Sequence, residues 1–499
     1  MSGGAAANGG VASICVRGGP GGTTVGLDSL EEATGALLLV AREAVEIGWG
    51  ALAAGTDVDV VAGTVLSPAT GIAARVGLLE VAGRGGLTGA AAEIVTTAGS
   101  VRAAVAAYRS AEDAVATAVE LAQDELMFVA GTLAPQVLVG VLALDALGVD
   151  VAALLDRAAF EHPEVADLAG GAEGLVLGLR SNPLTAPLLP TGPGSVGAGG
   201  SHADHGTEPD HDRERDYERA VRELADSAAP WGLLADRGRA QVTPEPAARP
   251  GARAPLSLRD LAADQRDVGD GEDYGGHVRV IEVPQASGSA WIVEISGTQD
   301  WDPRAGDTPF DLTTDVRSMA QEATVLADGV QQALALAQSA AAGSPGVPST
   351  SDGAGAVLLA GHSLGGIAAA GLASSPGFTA EHRVTHVVTM GAPVARMPVP
   401  SATQVLSLEH TRDPVPRLDG QRNPDRAGWV TVTRDTHGDG VDRASQTHDV
   451  SGYVDTAGLI DASTAPSLVT WRSTSAPFFD GATHGEPVIR DFLVRRVQP

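Results

Sequence analysis

The chain has 499 residues, with 62 acidic against 33 basic side chains and a formal net charge of −29. With a pI near 4.6, it lacks the basic surface that neutralises nucleic-acid phosphate or docks on anionic lipid, so both partner classes are excluded. Cys15 is the only cysteine, which rules out a disulfide within the chain and any cysteine-based metal site.

The length suffices for about two to four domains. Hydrophobic residues make up 43% of the chain but aromatics only 3%, so cores must be built from Ala, Val and Leu. Residues 1–25 are rich in Gly and Ala and read as a disordered tail. Met1 to Pro20 shows neither the basic region nor the continuous apolar core of a secretory signal. From Leu27 to about Ala54 apolar residues recur near a 3.6-residue period, predicting a helix with Asp28 or Ser29 as its cap. A second long helical stretch is predicted from about Leu87 to Asp124, and further apolar helix to about Leu155. Leu126 to Leu144 carries no charge and is long enough to cross a bilayer. Pro135 and Gln136 interrupt it, so a buried bundle helix or a pair of short helices is expected rather than a membrane span. The domain limits that follow are 22–180 for a helical domain, 181–213 for a linker, 214–276 for a charged helix with an irregular lead-in, and 277–495 for a strand-rich domain.

The linker carries Pro183, Pro187, Pro190 and Pro193 and then a polar cluster. His202, Asp204, His205, Asp210, His211 and Asp212 are metal-ligand types, but a flexible segment supplies neither fixed geometry nor supporting contacts. The cluster reads as solvated linker, and no metal or organic cofactor is expected. Arg213 to about Ala229 reads as an exposed charged helix.

From residue 277 the pattern changes to strands alternating with helices. Strands are predicted at His277–Val283, Ala290–Ser296, Val357–Ala360, Val384–Met390 and Gln404–Leu408. One long helix is predicted from Asp315 to about Ala341, capped by Thr313 or Thr314. Such alternation implies a mostly parallel sheet flanked by helices, with reactive groups at the carboxyl ends of the strands. The pattern therefore predicts a mostly parallel α/β domain with flanking helices, preceded by an all-helical domain.

The segment Gly361-His362-Ser363-Leu364-Gly365 follows one of these strands. Gly-x-Ser-x-Gly between a buried strand and a helix is the pattern of a nucleophile elbow. In a chain with 63 glycines the string alone carries little weight; its partners decide. A serine needs a base, and the base an orienting carboxylate. In this type of fold they follow in the order Ser, acid, His. Asp413 ends a strand in the Pro-stiffened loop Asp413-Pro414-Val415-Pro416; Asp419 and Asp425 are less well placed. For the base, His448 at the start of a helix is the best positioned, with His484 and His437 as alternatives. His362 should point away from the serine. The backbone N–H groups of Leu364 and Thr298 are candidates for stabilising an oxyanion.

These segments in their order resemble the successive motifs of class 3 (fungal-type) lipases: Gly297-Thr298 with Asp300-Trp301, Gly361 to Gly366, Met390-Gly391-Ala392-Pro393, Asp413 to Pro416, and His448. The resemblance covers about residues 277–495 and implies an α/β-hydrolase fold there. It implies Ser363 as nucleophile, Asp413 as orienting acid, His448 as base, and Thr298 with Leu364 as oxyanion donors. Ser296 replaces the usual Arg before Gly-Thr. The loop Gln299–Asp311, where such enzymes place a lid, is acidic rather than amphipathic. A lid that opens on an oil surface needs an apolar face, so an esterase acting on a smaller or more soluble ester is expected. Hydrolysis and acyl transfer remain open alternatives.

The N-terminal helices, with Tyr108-Arg109-Ser110-Ala111-Glu112 near the end of the second, resemble the helical-hairpin substrates of type VII secretion, in which Tyr-x-x-x-acid is part of an export signal. The Trp-x-Gly turn of that family is absent. The resemblance implies a secretion machine or chaperone as partner and a secreted or surface location without a signal peptide. Without it, a cytoplasmic location is expected.

Overall fold

The structure, a computed structural model, describes residues 14–146, 148–189, 209–246, 253–269, 276–342, 355–481 and 483–498. The linker residues His202, Asp204 and His205 lie outside the described residues, as do the side chains of Asp210, His211 and Asp212. By its internal contacts the chain divides into two compact units. One is Thr23–Ala118; the other joins the residues before Thr23 to Val119–Pro499.

The smaller unit is helical. Helices Thr23–Gly55, Val58–Leu66 and Pro68–Ala82 precede a fourth that begins at Leu87. The pair 58–66 and 68–82 escapes the periodicity reading, which finds only the two long helices. The interior is built from small residues, Ala41, Ala82, Ala91, Ala98 and Val105, so helices approach closely but bury little apolar area. Arg109 pairs with Asp28 at 2.7 Å and Glu31 at 3.0 Å. Leu39, Val40, Ile47 and Trp49 remain exposed.

The fourth helix runs from Leu87 to Ala146, with Pro135 inside it. The expectation of a buried helix over Leu126–Leu144 is not met. Leu126, Phe128, Leu133 and Val137 are exposed, and Pro135 does not end the helix. Among the described residues, no helix is long and apolar enough to cross a membrane.

The larger unit holds one nine-stranded sheet. Its strands are β1 (Ile14–Gly18), β2 (Arg239–Pro244), β3 (His277–Pro284), β4 (Ser289–Ile295), β5 (Val357–His362), β6 (Val384–Met390), β7 (Gln404–His410), β8 (Trp429–Arg434) and β9 (Val488–Val497). Their spatial order is β1-β8-β7-β6-β5-β4-β3-β9-β2. The central run β4 to β8 is parallel, and the pairs at both flanks are antiparallel. Val357, Leu358, Leu359 and Ala360 are all fully buried, as a continuous apolar run must be in a strand covered on both faces. Helices Val325–Ala342 and Leu364–Ser374 contribute to the core on one face. Helices Leu258–Gly269, Val450–Ala462 and Pro466–Ser475 cover the other. This is the α/β-hydrolase architecture expected for the C-terminal half.

Three local expectations change. Residues 14–18 are not tail but an edge strand paired with β8. The sheet thus draws β1 and β2 from outside 277–495. The helix expected over 315–341 is two, Leu312–Met319 and Val325–Ala342, separated where Gln321 adopts a φ of 53°. The cap of the first is Asp311, whose Oδ1 accepts from Thr314 N–H at 2.9 Å, not Thr313 or Thr314.

Asp311 has a second partner. Arg496 on β9 is fully buried and donates to Asp311 Oδ2 at 2.6 Å and to Asp236 Oδ1 at 2.9 Å. It also donates to the carbonyls of Gly306 and Thr308. Removing one partner of a buried pair strands the others without compensation. Arg496→Met is therefore expected to lower the unfolding free energy by about 3–5 kcal/mol, measured by urea denaturation; a loss below about 1 kcal/mol would show that the pair is solvated.

Candidate active site

The turn after β5 sets the site. Ser363 adopts φ 53° and ψ −124°, and helix Leu364–Ser374 starts directly after it. A non-glycine residue in this region costs on the order of 1–3 kcal/mol and persists only where its surroundings enforce it. The two flanking glycines show how. A Cβ on Gly361 would lie 2.1 Å from the carbonyl carbon of Gly365, and one on Gly365 would lie 2.0 Å from the Ile295 carbonyl oxygen. Only glycines let β4, β5 and the helix converge this tightly.

His448 ends the short helix Ala444–His448, and its Nε2 lies 3.0 Å from Ser363 Oγ. Its Nδ1 lies 2.7 Å from Asp413 Oδ2. Asp413 follows β7 and is fully buried. Burial works to raise its pKa, but the facing His448 and hydrogen bonds from His448, Tyr453 and the Val415 N–H outweigh burial, and the net displacement is downward. The carboxylate is thus held ionised. The structure brings Ser363, His448 and Asp413 into one hydrogen-bonded chain. It does not bring the alternatives there: His484 sits 3.8 Å from Asp480 on the surface, His437 lies in an exposed loop, and Asp419 binds the N–H groups of Ala395 and Gln421.

Among the described residues, the N–H groups of Leu364 and Thr298 have no hydrogen-bond partner. The former belongs to the first turn of a helix, where donors are unpaired by geometry. Gly297, just before Thr298, packs against the elbow: a Cβ there would sit 3.1 Å from the His362 carbonyl oxygen and 3.6 Å from Ser363 Cβ. The Thr298 hydroxyl donates to Asp315 Oδ2 at 2.9 Å.

Sequence reasoning missed three residues here. Tyr453, one turn beyond His448, donates to Asp413 Oδ2 at 2.7 Å. Its five-residue spacing from His448, across a helix start, was the available signal. Asp315 was read only as the start of a helix. His410, three residues before Asp413, stacks on the Tyr453 ring at 3.9 Å and 8°. His362 does point away from Ser363, and its Nε2 lies 2.7 Å from the His448 carbonyl oxygen.

Residues upstream of the linker also reach the loops that carry Asp413 and His448. Asp156 accepts from Ser445 N–H at 2.8 Å and from its hydroxyl at 2.7 Å. Arg412 stacks over the Phe160 ring at 5.1 Å, and Arg417 pairs with Asp167. The loop Gln299–Asp311 is tied down at its base: Gln299 N–H and Asp300 N–H both donate to the Phe310 carbonyl, and Leu312 N–H donates to the Asp300 carbonyl.

A family profile described as a PGAP1-like alpha/beta domain matches residues 307–467, a stretch that contains Ser363, Asp413 and His448 but not Thr298. In that region the chain is similar to α/β domains of the lipase-like hydrolase superfamily. The match is to this domain and not to a class 3 lipase. No curated protein and no solved structure matches the chain.

Asp315 gives a pH prediction. Burial pushes its pKa up to about 7, against the lowering effect of the Thr298 hydroxyl. An acid whose folded pKa is raised contributes stability that is complete below its unfolded pKa of about 3.9 and is lost as pH rises through the folded value. Asp315→Asn, which cannot ionise, is expected to exceed the parent in stability by about 1–3 kcal/mol at pH 8. The difference should vanish near pH 4, as read from denaturation at the two pH values.

Proposed function

We propose that the chain is a serine hydrolase that cleaves carboxylic esters through an acyl-enzyme. The observation that carries this reading is the hydrogen-bonded chain from Ser363 Oγ through His448 to Asp413, with steps of 3.0 and 2.7 Å, at the carboxyl ends of parallel strands. In this reading His448 Nε2 takes the Ser363 proton as Oγ attacks the ester carbonyl. Asp413 fixes the imidazole tautomer with Nδ1 protonated and stabilises the imidazolium that forms. The developing oxyanion is met by the N–H groups of Leu364 and Thr298, both unspent on other partners among the described residues. His448 then returns the proton to the departing alkoxide, and a water molecule repeats the sequence in reverse to release the acid.

The substrate class proposed is a small or soluble ester. The loop beside Thr298 carries Asp300, Asp302 and Asp307, is closed by backbone hydrogen bonds and exposes one large apolar side chain, Trp301, rather than an apolar face. Such a loop does not supply the amphipathic lid that an oil–water interface requires. The ordered likeness to class 3 lipases supports the ester chemistry without requiring a triglyceride.

Ser363→Ala is expected to abolish hydrolysis of short-chain chromogenic esters and labelling by a fluorophosphonate, with unchanged circular dichroism. Asp413→Asn should lower kcat by about 10⁴-fold. Equal labelling of the parent and the Ser363→Ala variant would refute the nucleophile.

A second reading concerns the helical unit and rests on its exposed Leu39, Val40, Ile47 and Trp49. Here the unit engages a helical secretion component or chaperone, and the hydrolase is its cargo. Replacing Val40 and Ile47 by Asp should then prevent release of the protein into the culture medium while fluorophosphonate labelling persists. Undiminished release would discard this reading.

A further inference from the structure

The proposed chemistry asks much of one short stretch of backbone. The His448 imidazole must stay within hydrogen-bond reach of Ser363 and Asp413 while it gains and loses a proton. Yet His448 is the last residue of a five-residue helix, which by itself offers little rigidity. Two other histidines grip this backbone. His362 Nε2 lies 2.7 Å from the His448 carbonyl oxygen, and His410 Nδ1 lies 2.9 Å from the Thr447 carbonyl oxygen. Since a carbonyl only accepts, each of those ring nitrogens carries the proton. The tautomers are thereby fixed as Nε2–H at residue 362 and Nδ1–H at residue 410.

Each ring is itself held. His410 Nε2 faces the Thr456 hydroxyl at 2.8 Å, and its face lies on Tyr453, the residue that donates to Asp413. The His362 ring lies 4.6 Å from the His448 ring and 5.6 Å from that of Tyr453. His362 also directly precedes the nucleophile in sequence. Each ring thus ties the backbone at His448 to a second member of the site, His362 to Ser363 through the chain and His410 to Asp413 through Tyr453. Both rings are kept neutral. Burial, and then the neighbouring His448, bring His362 down to about 3, and burial lowers His410. A neutral donor suits this place, because a cation beside His448 would oppose the imidazolium formed in each turnover.

We propose that His362 and His410 are positioning residues, two neutral imidazoles that fix consecutive backbone carbonyls and thereby aim His448 at Ser363. The proposal rests on the serine-hydrolase reading, and it goes beyond that reading in assigning work to residues outside the triad.

The two bonds use different ring nitrogens, which gives a test. A glutamine amide nitrogen reaches about as far as Nε2, and an asparagine amide nitrogen about as far as Nδ1. In the full-length protein, His362→Gln should keep kcat within about fivefold of the parent, whereas His362→Asn should lose about 30–100-fold. At residue 410 the order should invert, with His410→Asn the active variant and His410→Gln the impaired one. Impaired variants should retain KM within about twofold and label with a fluorophosphonate at a rate lowered in step with kcat. A merely structural role would lower the melting temperature without this crossed pattern in kcat. The same amide preference at both positions, or kcat unchanged in all four variants, overturns the proposal. Should any variant fail to fold, the other position carries the comparison. The parent protein is assayed in parallel: if it neither hydrolyses esters nor labels, the hydrolase reading fails, whereas an active parent without the crossed pattern refutes only the positioning role.

Discussion

The backbone at Ser363 is the constraint on which the larger unit depends. Its left-handed conformation is unfavourable for a side chain with a Cβ, so it survives only because packing leaves no alternative. β5 must enter the turn, helix Leu364–Ser374 must leave it, and β4 must pass beside it, all within contact distance of Gly361 and Gly365. The backbone hydrogen bond from Ser363 N–H to the Met390 carbonyl adds a tie to β6. The serine hydroxyl is therefore delivered by the sheet as a whole. Burial of the strands contributes the free energy that offsets the local strain.

How much of this could be read from the residues alone depended on which force dominates locally. β5 and β6 are legible because a strand covered on both faces must be apolar throughout. The elbow is legible because its steric demand leaves a glycine at each side of the serine. β9 was not foreseen. Its sequence Val-Ile-Arg-Asp-Phe-Leu-Val-Arg-Arg-Val carries Asp491 and Arg496, both buried, which a pattern reader assigns to solvent. Asp491 is matched by Arg279 on the adjacent β3 through contacts of 2.7 and 3.2 Å, and Arg496 by Asp311 and Asp236. A buried charge is tolerated when its partner is supplied from elsewhere in the chain, and nothing local in sequence announces that partner. β1 was missed for the opposite reason. Its glycine-rich surroundings signal disorder, and only the edge of β8 gives Ile14–Gly18 a place to pair.

The site divides in the same way. Motif and order single out Ser363, Asp413 and His448, and the fold brings the three into one hydrogen-bonded chain. Tyr453, His410 and His362 act on those residues across tertiary contacts, and their separations in sequence follow no fixed rule. The single helix expected over 315–341 shows a related limit. Apolar periodicity continues across the break, but the turn at Gln321 separates a helix whose cap is tied to Arg496 from one that packs on the sheet. The cap at Asp311 and the carboxylate at Asp315 thus belong to one rigid turn, and Thr298 takes its hydroxyl orientation from it.

The strand order carries a consequence for how the protein comes to exist. β9, among the last residues in the chain, lies between β3 and β2, while β1, among the first described residues, closes the opposite edge against β8. During synthesis β2 and β3 leave the ribosome long before β9, and until it arrives each exposes a strand edge to other chains. The high acidic charge of the emerging polypeptide opposes such encounters by mutual repulsion. Because Arg496 grips the turn that bears Asp315, that turn cannot be completed before the last strand. The nascent chain would carry Ser363 for some 130 residues of translation before Arg496 could close that turn, an interval measured from Ser363 to Arg496.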